Sequence, residues 1–151
     1  MKTRIAINGF GRIGRNLFRL LLNHPTIEIV AINDIADNKT MAHLVKYDSI
    51  HGVLNHNVSF SEDSIIIGDT SYLFFHEKEI KNIDWKSVHV DIVIESTGKF
   101  KTFEEINQHI LSGSKKVILS APREVEEIKT VVLGVNEHIL NGSETIISNA
   151  S

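Results

Sequence analysis

Three glycines in the run Asn8-Gly9-Phe10-Gly11-Arg12-Ile13-Gly14 have the spacing G-x-G-x-x-G, a pattern whose backbone N–H groups can hold a pyrophosphate. Each position needs the absence of a side chain for its own reason. Gly9 permits a tight turn, Gly11 lets the chain approach the phosphates, and Gly14 lets the following helix lie against the preceding strand. The anion would rest on free N–H groups around Arg12 and Ile13, at the positive end of the helix dipole, so no lysine is required. Asp34 lies twenty residues beyond Gly14, directly after Asn33. A carboxylate there accepts hydrogen bonds from ribose hydroxyls and repels a 2′-phosphate. No Arg or Lys follows Asp34 before Lys39, which favours NAD over NADP. The competing reading, glycines that only serve a strand-to-helix turn, leaves the spaced acid without a purpose.

Such a loop works only between a strand and a helix, and the chain supplies both. Six short apolar runs recur: Ile5-Ala6-Ile7, Ile29 to Ile32, Ile92-Val93-Ile94, Val117-Ile118-Leu119, Val131-Val132-Leu133 and Ile146-Ile147. They are continuous rather than alternating, as in parallel strands buried on both faces. Between the first two, Ile13, Leu17, Leu20 and Leu21 recur at helical spacing, opposite Arg12, Arg15, Asn16 and Arg19, and Asn23-His24-Pro25 ends the element. Thr40 to Tyr47 predicts a second helix. Phe103, Ile106, Ile110 and Leu111 predict a third, closed by Ser112-Gly113. From Val53 to Phe75, turn signals at Ser61-Glu62-Asp63 and Gly68-Asp69 predict a small antiparallel insertion. The expected fold is a single α/β domain: an open, doubly wound, mainly parallel sheet. Asn33-Asp34, Glu95 to Gly98, Ser120-Ala121-Pro122, Gly134-Val135-Asn136 and Ser148 to Ser151 would end strands at one edge, where such sheets bind ligands.

Composition excludes several classes. The 151 residues are 42% hydrophobic and 23% charged, as in soluble globular domains. A net charge of −3 with dispersed Lys and Arg argues against nucleic acid and anionic membranes. Met1 to Ile5 lacks a signal-peptide core, and no apolar stretch approaches the roughly eighteen residues of a membrane span. A cytoplasmic protein is expected. There is no cysteine, hence no disulfide or thiol catalysis in these residues. The eight histidines include no helical i, i+4 pair with a third ligand near, so they read as surface or loop donors and no metal is expected. Asp48 reads as a loop-ordering group and Glu95 as a strand-end group rather than an acid–base pair. Trp85 and Phe74-Phe75 read as packing under the antiparallel insertion.

The run from Ile7 to Arg15 resembles the opening signature of glyceraldehyde-3-phosphate dehydrogenases. Asn33-Asp34, Lys46-Tyr47-Asp48-Ser49 with His51-Gly52, Glu95-Ser96-Thr97-Gly98, Lys115 to Ile118, Ser120-Ala121-Pro122, Gly134-Val135-Asn136 and Ser148-Asn149-Ala150-Ser151 follow in that family's order. The resemblance covers the whole chain and implies a Rossmann-type NAD-binding domain over 1–151. The candidate cofactor contacts are then Asn8, Gly9, Phe10, Gly11, Arg12, Ile13, Gly14, Asn33 and Asp34. Ser96, Thr97, Gly98 and Phe100 join them at the adenine wall, and Ser120 on the nicotinamide side. Lys78 falls where many members carry an arginine, although Glu77-Lys78-Glu79-Ile80 departs from the usual Glu-Arg-Asp-Pro.

By the same resemblance Ser-Asn-Ala-Ser continues into a cysteine nucleophile served by a histidine of a following catalytic domain. Neither is present here, so no catalytic residue is assigned, and the chain alone is expected to hold NAD without oxidising an aldehyde. Ser151 would be a substrate-binding neighbour of that cysteine. The whole enzyme would be a glycolytic homotetramer taking glyceraldehyde 3-phosphate and phosphate. Erythrose-4-phosphate dehydrogenases share Met41-Ala42-His43-Leu44 and the region from Leu73 to Glu77, whereas Asn33-Asp34 and Ser120-Ala121-Pro122 favour the triose enzyme. A stand-alone NAD-binding module without chemistry is the reading from another class.

Overall fold

The computed structural model describes residues 1–150. Ser151, expected at a substrate site, lies outside them. Strand β1 (Thr3–Asn8) leads through the glycine turn into helix α1 (Arg12–Leu21) and strand β2 (Ile27–Asn33). Helix α2 (Asn38–Lys46) is followed by a two-stranded hairpin, β3 (Tyr47–Asp48) with β4 (Gly52–Val53). Then come β5 (Val58–Phe60), β6 (Ser64–Ile67), β7 (Thr70–Phe75), β8 (Ile92–Glu95), helix α3 (Phe103–Leu111), β9 (Lys116–Leu119), β10 (Lys129–Val131) and β11 (Ile146–Asn149).

One nine-stranded sheet runs β10-β11-β9-β8-β1-β2-β7-β6-β5. It is parallel from β10 to β7, and only β6 and β5 are antiparallel. The expected antiparallel insertion is therefore continuous with the main sheet, because β7 pairs with β2 in parallel, Ala31 opposite Leu73. The chain moves outward from β1 through β2 and then returns to the other side of β1 at β8. Strand order reverses there, and a ligand crevice opens at the carboxyl ends of such strands.

Alternation within the central strands divides the core. Ile5 and Ile7 of β1 pack with Phe10, Phe18, Ile32 and Phe74 in one cluster. Ala6 turns to the other face, where it joins Ala31, Trp85, Val90 and Val93. Ala6 and Ala31 are direct neighbours across β1 and β2. Two small side chains abreast leave a hollow, and the fully buried Trp85 belongs to that cluster, edge-on to Phe75 at 5.8 Å. Trp85 thus packs under the parallel strands and also against Leu73 and Phe75 at the end of the insertion. A third cluster gathers Ile106 of α3 with Val117, Leu119, Ile128 and Ile146.

Three local expectations are corrected. Ile13 and Leu20, placed by spacing on the buried face of α1, are 57% and 77% exposed, and Gly14 and Phe18 are buried instead. Only a residue without Cβ fits against the carbonyl of Gly9, so Gly14 sets the helix rotation and Ile13 turns about 100° away. Helix α2 starts before Thr40, because Asp37 caps it by accepting from the Thr40 N–H at 2.8 Å. The run Val131-Val132-Leu133 is strand only as far as Val131. Asn136 captures the Val132 N–H at 2.6 Å and turns the chain, leaving Leu133 84% exposed at the sheet edge.

Candidate dinucleotide site

Gly9 adopts φ +93°, a left-handed conformation open to glycine, and a Cβ there would come within 2.7 Å of the Thr97 nitrogen. Gly14 would drive a Cβ into the Gly9 carbonyl oxygen. Gly11 differs: a Cβ would meet nothing within 4 Å, so the space in front of it is open. Gly11 is also the cap residue of α1, and no side chain caps that helix start. The other two helices are capped by Asp37 and by a reciprocal Thr102–Glu105 pair. The start of α1 therefore has no side-chain cap and no acidic residue in its first turn, with open space in front of Gly11, an arrangement suited to an anion.

The turn is braced from several sides. The Gly9 N–H donates to the Asn33 carbonyl at 2.8 Å, and the Ser96 hydroxyl donates to the Gly9 carbonyl at 2.7 Å. Arg15 donates to the Phe10 carbonyl at 3.0 Å. Asp34 accepts the Phe10 N–H at 2.7 Å on one oxygen and the Ala36 N–H at 3.0 Å on the other. Its carboxylate thus ties the glycine turn to the end of β2, and the half-buried side chain borders the cleft.

That cleft, about 270 Å³, lies at the carboxyl ends of β1, β2 and β8. Of the candidate residues, Asn8, Gly9, Gly11, Asn33, Asp34, Lys78, Ser96, Thr97 and Phe100 line it. Arg12, Ile13, Gly14, Gly98 and Ser120 lie outside its wall. Ser120 still stands at the same sheet edge, its N–H bonded to the Glu95 carbonyl. The ring of Phe10 belongs to the core, edge-on to Phe18 and Phe74, so it offers the site only backbone. Ile35, Glu77, Ile80, Ile83 and Lys99 complete the wall. Sequence reasoning missed them because they lie on the connections after β2, β7 and β8, Ile80 in a single 3-10 turn, which carry no spacing signal.

Beneath the cleft Glu95 is buried, with four donors on its carboxylate. Oε1 accepts from the Thr97 N–H at 2.9 Å and the Thr97 hydroxyl. Oε2 accepts from Asn8 at 2.6 Å and pairs with His109 Nε2 at 2.7 Å. Burial raises the Glu95 pKa, but the hydrogen bonds from His109, Thr97 and Asn8 outweigh it, leaving the carboxyl below its ordinary value. His109, expected among surface or loop histidines, has no exposed surface and accepts the Trp85 indole N–H on Nδ1 at 2.9 Å. Its position three residues after Ile106, on the buried face of α3, was the available signal. Asp48 does order its loop, accepting the N–H groups of Ile50 and His51. Among the described residues no group of three or more His, Asp or Glu could hold a metal ion, and no helix is long and apolar enough to cross a membrane.

A mainly parallel sheet that brings a glycine turn, an uncapped helix start and a carboxylate to one carboxyl edge defines a Rossmann-type dinucleotide-binding domain. The family model described as "Glyceraldehyde 3-phosphate dehydrogenase, NAD binding domain" matches residues 3–103. The chain belongs to that family, whose cofactor is NAD. It is 47% identical over 135 residues to the glyceraldehyde-3-phosphate dehydrogenase of Geobacillus stearothermophilus, a match covering 89% of this chain and 40% of that protein. It is 48% identical to the enzymes of the same name from Mycoplasma pneumoniae and Thermotoga maritima, over 98% of this chain and 44% and 45% of those proteins. The chain therefore spans about two fifths of the length of these curated relatives.

Proposed function

We propose that this chain is the cofactor-holding part of a longer NAD-dependent phosphorylating aldehyde dehydrogenase, with glyceraldehyde 3-phosphate and phosphate as substrates. The observation that carries the reading is the uncapped start of α1 behind the open space at Gly11, beside Asp34. In this role the N–H groups of Arg12 and Ile13 hold the pyrophosphate and Asp34 accepts from the adenosine ribose. Ser96, Thr97 and Phe100 wall the adenine side with Lys78 at the rim, and Ser120 lies toward the nicotinamide. NAD supplies the hydride acceptor, and the residues of this chain bind and orient it.

The chain spans about two fifths of its curated relatives and holds no thiol; in this reading the aldehyde chemistry belongs to other parts of such a longer protein. The whole enzyme is placed in the cytoplasm as a homotetramer. The choice of the triose over the erythrose substrate rests on Asn33-Asp34 and Ser120-Ala121-Pro122.

Calorimetric titration of this chain with NAD and NADP tests the reading. NAD binding is expected to exceed NADP binding. Asp34→Ala should weaken NAD and narrow the gap, since it removes both the ribose acceptor and the charge that repels a 2′-phosphate. Equal affinity of the native chain for the two cofactors, or none for either, would overturn it.

A further inference from the structure

The cleft wall rests on one connected hydrogen-bond chain whose every member has a determined polarity. Trp85 Nε1 can only donate, so His109 Nδ1, 2.9 Å away, is a bare acceptor. His109 then carries its proton on Nε2 and donates it to Glu95 at 2.7 Å. The Thr97 hydroxyl accepts the Lys99 N–H at 3.1 Å, which leaves its own proton for Glu95. With Asn8 Nδ2 and the Thr97 N–H, all four contacts of Glu95 are donors, a set that suits a carboxylate and leaves no acceptor for a carboxylic acid proton. Because Asn8 gives its NH₂ to Glu95, its Oδ1 must accept, and it takes Asn33 Nδ2 at 2.7 Å. Asn33 in turn accepts the Glu77 N–H at 2.9 Å and donates to the Glu77 carbonyl at 2.9 Å.

This chain reaches from α3 to the carboxyl ends of β8, β1 and β2 and to the segment after β7. Asn8, Asn33, Glu77 and Thr97 are all wall residues of the cleft, whereas Glu95, His109 and Trp85 are not. A buried anion with four donors holds those donors in place far more strictly than neutral packing does, since any displacement leaves charge without a partner. We infer that Glu95 and His109 are positioning residues for the dinucleotide site: a neutral His109, held as its Nε2–H tautomer by Trp85, aligns the Glu95 carboxylate, which sets the positions of Asn8 and Thr97. That role rests on the proposed NAD binding, while the hydrogen-bond geometry stands without it.

The test uses the full chain labelled with ¹⁵N, with three variants. Long-range histidine spectra of the native chain are expected to show a bare Nδ1 and a protonated Nε2 at His109. Glu95→Gln and His109→Met, in folded protein, are expected to lower NAD affinity by about tenfold or more, the loss of a hydrogen bond to a buried charge. His109→Gln, which can still donate to Glu95, should recover most of that affinity while His109→Met does not, a split that lost packing alone would not produce. An Nδ1–H or doubly protonated ring at neutral pH overturns the inference, as does native affinity in folded Glu95→Gln and His109→Met. Should His109→Met fail to fold, the native tautomer and His109→Gln still decide. If the native chain binds no NAD, the functional reading fails separately. Amide shifts in the variants then decide: displacement at Asn8, Thr97 and Glu77 upholds the relay, and changes confined to α3 overturn it.

Discussion

Gly11 and Gly14 sit three residues apart in one motif, yet the structure gives them opposite sensitivities. At Gly14 an added Cβ strikes the Gly9 backbone oxygen, which cannot step aside as a side-chain end could. Ala gains about 1 kcal/mol of helix propensity over Gly, but overpacking against backbone costs roughly 1–3 kcal/mol and wins. Gly14→Ala is therefore expected to lower stability by about 1–2 kcal/mol, measured by urea denaturation. At Gly11 φ is −74° and the space is empty. Gly11→Ala should hold or raise stability by up to about 1 kcal/mol, through the smaller entropy of the unfolded chain, while weakening NAD binding because its methyl group stands where the pyrophosphate approaches. A stable Gly11→Ala chain that binds NAD as the native one does would count against the placement of the phosphates. The motif spacing made all three glycines legible, since each role depends on a missing Cβ. It also assigned Gly9 and Gly14 to the fold and Gly11 to the ligand, but not the contacts, such as the Gly9 carbonyl against Gly14, that set how strictly each glycine is required.

At the scale of elements, the ends decide more than the middles. Helix α3 begins with a complete capping box, Thr102 accepting from Glu105 N–H and Glu105 accepting from the N–H groups of Lys101 and Thr102. Thr102→Ala should cost about 1 kcal/mol and raise hydrogen exchange at Glu104 and Glu105 before it affects β9. Before β11, the Glu144 carboxylate accepts from Lys129 and from the N–H groups of Asn141 and Gly142. The Lys129 hydrogen bond is the largest cause holding its pKa at about 2, below an ordinary 4.5. A depressed folded pKa means a contribution present above the unfolded value and lost as pH falls. The turn at Asn141–Ser143 is thus expected to loosen as pH drops from about 4.5 toward about 2. Amide exchange at Asn141 and Gly142 should follow that window, and Glu144→Gln should remove the pH dependence. Element identity was readable from apolar runs and helical spacing. Element rotation and endpoints were not, because Gly14 against Gly9 and Asn136 against Val132 are contacts rather than propensities.

For the whole molecule, one sheet connects all three apolar clusters. Strand β1 sends Ile5 and Ile7 to one cluster and Ala6 to another, and β8 joins that second cluster through Val93 while pairing with β9, which builds the third. No cluster can be lost while its strands remain intact, so unfolding should be a single transition. Trp85, the one tryptophan, reports the second cluster and its bond to α3. Its emission and far-ultraviolet circular dichroism are expected to share one denaturant midpoint. Separate midpoints would show that the edge strands β10 and β11 unfold apart from the centre.

By itself the sequence determined what depends on backbone and neighbours along the chain. That includes the glycine turn, the parallel strands with their continuous β-branched runs, and the acid at the end of the second strand. These features are local, and their physical cause travels with the residue types. Tertiary structure alone decided what depends on residues distant in sequence. Trp85, Glu95 and His109 stand 10, 14 and 24 positions apart pairwise, and Asn8 lies 87 from Glu95. No spacing rule joins them. They meet because strand order reverses between β1 and β8 and α3 packs its buried face beside them, where a charge cut off from water must gather every donor within reach.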